Sequence, residues 1–397
     1  MPRLKVLFTQ ETATPGGAPK VLLNLVTNLD RTRFEPIVLI GRRGPIVEKF
    51  AAVAHTYHYP EPLPVPYTGR LQKLVRPVVM TRWLSDKLAA IKPDVIYQTG
   101  YASTLWMERL GEFSLPRILH AHGVYTEQIN KGQRFINAFT RFADHYVCCA
   151  KAVDVLLETC LGIPRSKLST IYNGLELFEP DNIPNPMDAQ LTDLGIAPDD
   201  FVVCAIGSMY YIKGMDLFVR MAASLLTRFP ERKLKFLWIG GGLSDGSVNA
   251  SASYVKGVFA FVQAAGLAPY IRFSGHVPDA RPLLKRANLF ALTSREEAMP
   301  LVVLEAMLMG TPIIAFPAGG TAEILTPEVG FITEGFDIEK LAAMAAAVIE
   351  NPEQTRDMTA RARQKIRDHF DARAQILLFE DLIFSVYNHY GKPSIVT

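Results

Sequence analysis

The chain has 397 residues and a mass of 44.1 kDa, enough at about 150 residues per domain for two or three domains. Its 49% hydrophobic and 20% charged residues, with 27 glycines and 27 prolines, exclude a disordered or collagen-like chain. A formal charge of +3 is too mild to make nucleic acid the expected partner. Cys148, Cys149, Cys160 and Cys204 form no Cys-x-x-Cys pair and no zinc-ribbon spacing, which suits a reducing compartment. The first ten residues pass into a strand-like run with no apolar leader core or cleavage site. The most apolar long stretch, 301–318, is interrupted by Glu305, Gly310 and Pro312. The expectation is a cytoplasmic protein, at most peripheral to a membrane.

In chain order, short runs rich in Val, Ile and Leu alternate with helix-period segments, the pattern of parallel sheets covered by crossover helices. Strands are predicted at 4–9, 36–40, 95–98, 117–122, 145–149 and 168–172. Residues 178–186 then gather Pro180, Pro184 and Pro186 with Asn182 and Asn185, which predicts an extended linker. Alternation resumes with strands at 201–206, 235–239, 271–274, 289–293 and 312–316. Ile376, Leu377, Phe379, Leu382, Ile383 and Val386 recur at helical spacing and predict a closing helix over 374–390. Two doubly wound α/β halves follow. Sheets of this kind bind ligands outside the carboxyl ends of their strands, so the loops there are the candidates for chemistry.

The most informative loop is Ser294-Arg295-Glu296-Glu297-Ala298-Met299-Pro300, which leads into an apolar helix containing Glu305 and ending at Gly310 and Pro312. Pro300 suits the first turn of that helix. A carboxylate among Leu301, Val302, Leu304, Met307 and Leu308 either needs strong donors, such as the vicinal hydroxyls of a ribose, or faces solvent. In the loop Gly207-Ser208-Met209-Tyr210-Tyr211-Ile212-Lys213-Gly214, backbone amides, a following helix and a lysine are the ingredients of a diphosphate site, or of a tight turn with a surface lysine. Gly319-Gly320 and Gly16-Gly17 are weaker signals of the same kind. His120 and His122 share one strand face, which fits a substrate contact or a structural histidine better than a metal site with no further ligands.

Together these motifs resemble the retaining nucleotide-sugar glycosyltransferases of glycosyltransferase family 4, the group 1 glycosyltransferases. The match runs along nearly the whole chain: Gly16-Gly17, Lys92-Pro93-Asp94-Val95, His122-Gly123, Asn173-Gly174, Lys213-Gly214, Phe-Ser-Gly-His-Val-Pro-Asp at 273–279, and Glu297 with Glu305-Ala306-Met307. The resemblance implies a GT-B fold, two Rossmann-like doubly wound domains facing across a cleft. The expected domains are an acceptor domain over 1–178 and a nucleotide-sugar domain over 179–373, with a helix in 374–397 crossing back to the first.

It further implies a donor held by Glu305 at the ribose, Glu297 at the transferred sugar, Val277 at the base, and the backbone of Met299, Pro300 and Leu301. Lys213 would neutralise the leaving diphosphate, His122 would contact the sugar, and Gly17 would let the first domain approach the phosphates. Ser208 stands where the family often has an arginine, Pro19 replaces an acidic residue, and Ala298 replaces a glycine. The sequence contains no Asp-x-Asp pair, and no metal or other cofactor is expected.

The activity so implied is transfer of a sugar to a glycan or lipid-linked glycan. The alternatives are a nucleotide-sugar epimerase or hydrolase of the same fold, and a non-catalytic nucleotide-sugar-binding protein. Gly240-Gly241-Gly242 does not continue into a dinucleotide fingerprint, which disfavours a dehydrogenase. Between Arg70 and Lys92, six basic residues interleave with Leu71, Leu74, Val75, Val78, Trp83 and Leu84. That pattern fits a helix lying on a membrane surface, or one that packs an apolar stripe on the sheet.

Overall fold

Every strand pairing within the two sheets is parallel. The structure, a computed structural model, describes residues 3–13, 16–42, 44–58, 70–100, 115–124, 129, 132–141, 143–241 and 252–390. The chain divides into two units, Met1–Glu176 with Ala372–Thr397, and Leu177–Asp371. These boundaries fall two residues before the expected 178 and 373.

Unit 1 contains β1 (Leu4–Thr12), β2 (Phe34–Arg42), β3 (His55–His58), β4 (Val95–Thr99), β5 (Arg117–Ala121), β6 (His145–Cys148) and β7 (Leu168–Thr170). Their order is β3-β2-β1-β4-β5-β6-β7, with the reversal between β1 and β4. Helices α1 (Gly17–Asn28), α2 (Val47–Val53), α3 (Arg70–Ile91), α4 (Gln133–Arg141) and α5 (Lys151–Leu161) belong to this unit. The six expected strands are present, and β3 is an addition that forms one edge.

Alternation along the strands sends Val6, Phe8, Val38, Tyr97 and Ile118 to one face, under Leu22 and Leu25 of α1. Leu7, Ile37, Leu39 and Ile96 go to the other, under Leu84, Leu88 and Ile91 of α3. The described apolar residues of α3 thus include a stripe spent on the sheet, with Leu84 only 1% exposed, while Val78 points outward. The side chains of residues 70–77 and 80, on which much of the membrane-surface pattern rests, lie outside the described ones.

Unit 2 contains β8 (Phe201–Ile206), β9 (Leu234–Ile239), β10 (Ile271–Phe273), β11 (Leu289–Leu292), β12 (Ile313–Ala315) and β13 (Phe331–Ile332), in the order β10-β9-β8-β11-β12-β13. Its helices are α6 (Asp188–Asp193), α7 (Met215–Arg228), α8 (Ala252–Ala264), α9 (Arg281–Arg286), α10 (Leu301–Met309), α11 (Thr321–Ile324), α12 (Ile338–Glu350) and α13 (Arg356–His369). The core joins Phe236 and Trp238 of β9, Phe218 and Leu225 of α7, and Leu341 and Ala345 of α12.

Two expectations need correction. The linker is not wholly extended, because Pro180–Asn182 form one turn of 3-10 helix closed by the Ile183 N–H on the Pro180 carbonyl at 3.1 Å. Pro300 precedes α10 as its N-cap, in an extended conformation (φ −76°, ψ 105°), and Leu301 begins the first turn.

After α13 the chain returns to unit 1 as α14 (Ala372–Tyr390). Ile376, Phe379 and Ile383 fill the core beside α1, and Phe384 meets Phe34 at 4.8 Å between ring centroids. Glu380, 2% exposed, accepts hydrogen bonds from the Asp30 N–H at 2.7 Å and the Arg33 guanidinium at 3.0 Å. Gly174 is required here, because a Cβ on it would overlap the backbone of Ala372.

Candidate functional site

The carboxyl ends of β8 and β11, neighbours at the strand-order reversal of unit 2, supply the two loops that carry the charged residues. Leaving β8, Gly207 donates to the Ile239 carbonyl at 2.9 Å and accepts from Trp238 Nε1 at 3.0 Å. One turn of 3-10 helix, Tyr211–Lys213, then lifts the chain to Gly214, the N-cap of α7. Gly214 has φ +69°, and a Cβ on it would overlap the carbonyl of Thr293 at the end of β11. Only glycine satisfies both conditions. The close crossing is reinforced by Thr293 Oγ1 donating to the Gly214 carbonyl at 3.0 Å and by the Arg295 N–H donating to the Ile212 carbonyl at 2.7 Å.

The crossing brings Lys213 to Glu297. Lys213 Nζ donates to Glu297 Oε1 at 2.6 Å, and Ser294 Oγ donates to the same oxygen at 2.7 Å. The Lys213 side chain is 27% exposed and that of Glu297 10%, so the pair sits at the mouth of the loops rather than in free solvent. A carboxylate this shielded is stabilised by a charge-assisted bond and a neutral donor together. The sequence had marked Lys213 and Glu297 separately, and the structure joins them.

The remaining marked residues of unit 2 lie on the same sheet edge. Met299 and Pro300 are buried, and the Ala298 carbonyl accepts from the Gly320 N–H at 3.1 Å, which ties the Gly319-Gly320 turn to the Glu297 loop. Glu305 is partly buried on α10 between the buried Leu304 and Ala306, so it lies on neither a fully solvated face nor the core. Ser208 is partly buried after β8, and its carbonyl accepts from the Tyr210 N–H at 2.7 Å. Val277, partly buried, follows β10 in a loop joined to Gly240 by the Gly240 N–H on the Gly275 carbonyl at 3.0 Å. The N-termini of α7, α10 and α11 all follow strand ends here and present the positive ends of their dipoles.

Sequence reasoning assigned no role to Arg295, Asp216 or Tyr254. The Arg295 guanidinium makes a two-pronged pair with Asp216, Nη1 to Oδ1 at 2.8 Å and Nη2 to Oδ2 at 2.7 Å, and Tyr254 Oη donates to Asp216 Oδ1 at 2.7 Å. Burial raises the pKa of Asp216, but the bonds from Arg295 and Tyr254 outweigh it and hold the carboxyl below its ordinary value. Arg295 is the other cation of these two loops. Its fork is engaged with Asp216.

In unit 1, His122 directly follows β5 and Gly17 opens α1 after β1. The rings of His120 and His122 lie 3.8 Å apart between centroids at 38°, as the alternation predicts, and Tyr97 Oη is 2.9 Å from His120 Nδ1. Burial pushes His122 down to about 3, and burial with the neighbouring His122 pushes His120 well below its ordinary value. Both imidazoles are therefore neutral near pH 7 and act as hydrogen-bonding groups rather than cations. Among the described residues, a Cβ on Gly17 would meet nothing within 4 Å, so no contact with them demands glycine there. Among the described residues no group of three or more His, Cys, Asp or Glu is placed to hold a metal ion.

Residues 15–177 match the family model described as Glycosyltransferase Family 4, and residues 200–351 match that described as Glycosyl transferases group 1. The D-inositol 3-phosphate glycosyltransferase of Nocardia farcinica is 28% identical over 204 residues, which cover 51% of this chain and 44% of that protein. The lipopolysaccharide core biosynthesis mannosyltransferase LpcC of Rhizobium leguminosarum bv. viciae is 32% identical over 224 residues, 55% of this chain and 59% of that one. The chain thus spans about half the length of the curated relatives it matches. Among solved structures, Anabaena Alr3699/HepE in complex with UDP-glucose superposes with a TM-score of 0.78 at 21% identity, covering 96% of this chain and 100% of that one. Sucrose-phosphate synthase from Thermosynechococcus elongatus does so with a TM-score of 0.78 at 18% identity, covering 98% and 100%. The two family matches fall one on each unit, each unit is a parallel Rossmann-like sheet, and the solved neighbours share this GT-B fold, so the chain belongs to the group 1 glycosyltransferases.

Proposed function

We propose that the chain transfers a sugar from a nucleotide-diphosphate donor to an acceptor hydroxyl, with retention at the anomeric carbon. The observation that carries this reading is the Lys213–Glu297 pair at 2.6 Å, set among helix N-termini at the carboxyl edge of the second sheet. A cation and positive helix ends suit a diphosphate, and an adjacent shielded carboxylate suits sugar hydroxyls. The complexes of the HepE neighbour with UDP and UDP-glucose agree with this class of donor.

In this reading Lys213 takes the charge of the departing diphosphate with the helix ends, and no metal or other cofactor is required. Glu297 and the backbone of Met299, Pro300 and Leu301 hold the transferred sugar, Glu305 the ribose, and Val277 the base, with Ser208 beside the phosphates. In unit 1, neutral His122 offers a hydrogen bond to a sugar hydroxyl, and Gly17 leaves room for phosphate. No protein nucleophile is invoked. The bond from the anomeric carbon to the phosphate oxygen breaks, the bond to the acceptor oxygen forms on the same face, and the acceptor proton passes to the departing phosphate, while the enzyme supplies orientation and electrostatics.

The acceptor proposed is a glycan or lipid-linked glycan, in keeping with the name of the lipopolysaccharide core relative. A cytoplasmic enzyme touching a membrane surface fits such an acceptor, and among the described residues no helix is long and apolar enough to cross a membrane.

Calorimetric titration of UDP, GDP and ADP, with Glu305→Ala as control, tests the donor site. Binding of one nucleotide, weakened in the variant, supports it and selects the sugar nucleotide for acceptor screens. NMR of the product then reads whether a glycosidic bond has formed and with which anomeric configuration. No binding of any nucleotide, or a donor merely hydrolysed or isomerised, overturns the proposal.

A further inference from the structure

Lys213 is carried by a short and intrinsically weak element. The 3-10 turn Tyr211–Lys213 spans three residues and is followed by a left-handed glycine, so its own hydrogen bonds do little to fix its height above the sheet. The position of Nζ depends on what holds the two ends of this segment. Both ends are held by one side chain from the loop that carries Glu297. Arg295 Nη1 donates to the Tyr211 carbonyl at 2.8 Å at the first end, and the fork of Nη1 and Nη2 grips Asp216 at 2.8 and 2.7 Å at the second.

Aromatic groups close the arrangement. The Arg295 guanidinium carbon lies 3.9 Å from the centroid of the Tyr211 ring, and that ring meets Tyr254 edge-on at 5.6 Å. Tyr254 Oη in turn donates to Asp216 Oδ1 at 2.7 Å and accepts from the Asp216 N–H at 3.1 Å. The Arg295 and Asp216 side chains are 21% and 24% exposed, shielded enough for a two-pronged ion pair to hold one geometry. Three of the five N–H donors of the guanidinium are used on Asp216 and Tyr211, so it is tied first of all to its own loops.

We infer that Arg295 is a positioning residue: by clamping residues 211 and 216 it sets the reach of Lys213 beside Glu297, and so the grip of unit 2 on the diphosphate of its donor. The inference rests on the donor-site reading proposed above and adds to it the residue that fixes the cation. A lysine at 295 keeps the charge but lacks the planar fork that bridges a carboxylate and a carbonyl at once.

The test is titration of UDP, GDP and ADP, and of uridine, guanosine and adenosine, into the wild type, Arg295→Lys and Asp216→Asn. Loss of one charge-assisted hydrogen bond to the diphosphate corresponds to about 10- to 100-fold in affinity, so a loss of about tenfold or more in diphosphate affinity is expected, with nucleoside affinity unchanged. A diphosphate affinity within about twofold of wild type overturns the inference. So does an equal loss for nucleoside and diphosphate, the signature of general loosening. Should both variants fail to fold, Tyr254→Phe removes both bonds of the hydroxyl to Asp216 and keeps the ring packing; it is expected to show the same selective loss on a smaller scale, and no loss there overturns the inference. A wild type that binds none of the nucleotides overturns the donor-site reading itself and this inference with it, an outcome distinct from normal binding in the variants.

Discussion

Lys213 Nζ and Glu297 Oε1 lie 2.6 Å apart although the residues are separated by 84 positions, and Ser294 shares the carboxylate oxygen. The cation expected at a diphosphate and the carboxylate expected at a sugar therefore neutralise each other without a donor. On the function proposed above, a donor entering this site would take over Lys213 with its phosphates and offer sugar hydroxyls to Glu297.

Removing the cation separates binding from leaving-group chemistry. Lys213→Ala is expected to lower kcat by about 10- to 100-fold, since a charge-assisted hydrogen bond contributes about 1.5–3 kcal/mol and this one strengthens as charge develops on the phosphate. Steady-state turnover with the sugar nucleotide identified by calorimetry checks it, and near-normal kcat would exclude the role.

Glu297→Gln keeps the shape of the side chain and removes its charge. Lys213 and Ser294 then face a neutral amide, and the Glu297 side chain is only 10% exposed. Nucleoside diphosphate affinity is expected to hold or rise, because Lys213 loses its competitor, while kcat falls. Parallel calorimetry and turnover measurements decide this; loss of nucleotide affinity would count against the exchange of partners.

Gly214→Ala is expected to destabilise unit 2 by about 2 kcal/mol or more, because the added Cβ meets φ +69° and the Thr293 carbonyl together. Urea unfolding followed by tryptophan fluorescence in a variant that keeps Trp238 alone of the three tryptophans reads the change. An unaltered midpoint would mean that the two loops do not cross as described.

Glu380 ties α14 into unit 1. Glu380→Ala leaves the Asp30 N–H and the Arg33 guanidinium without this carboxylate; Glu380 is buried but the Arg33 side chain is 40% exposed, so the expected cost is that of lost hydrogen bonds, about 1–3 kcal/mol. Thermal unfolding and hydrogen exchange over residues 372–390 should both show the loss.

Acid should weaken unit 1 through its two histidines. Their pKa values are lowered by burial in the folded state, His122 to about 3, so between about pH 6.5 and 3 the unfolded chain binds protons that the folded chain refuses. Stability is complete above about pH 6.5 and falls as the pH is lowered, by up to about 1.4 kcal/mol per pH unit for each histidine. His122→Asn should reduce that slope relative to wild type in unfolding measured from pH 7 to 4.5, and an identical slope would contradict a neutral, partly buried ring.

Strands built from β-branched runs announce themselves, so the centres of both sheets were legible from sequence to within a few residues. The edges were not. β3 is His55-Thr56-Tyr57-His58, exposed or partly buried throughout, and β13 is only two residues long. Both exist because a neighbouring strand supplies hydrogen bonds, which no local pattern encodes. At the site, Lys213 and Glu297 were each marked by a strand–loop–helix context. The Arg295–Asp216–Tyr254 cluster left no mark because its members are 38 and 79 positions apart and their meaning lies in the pairing. Pro300 shows the limit for a helix start, since its fixed φ suits both the N-cap it occupies and the first turn expected for it.

The polypeptide leaves unit 1 at Glu176 and re-enters it at Ala372. A ribosome emitting the chain from its amino end completes every residue of unit 2 before α14 emerges. Until then the apolar face that receives Ile376, Phe379 and Ile383 stays open, and the Arg33 guanidinium lacks Glu380. Every residue of unit 2 leaves the ribosome before α14, whereas unit 1 stays incomplete until α14 has followed. Truncated nascent chains, stop codons before residue 372 and slow translation of the α14 segment should therefore expose a sticky sheet face of unit 1 to chaperones and proteases after every residue of unit 2 has been made.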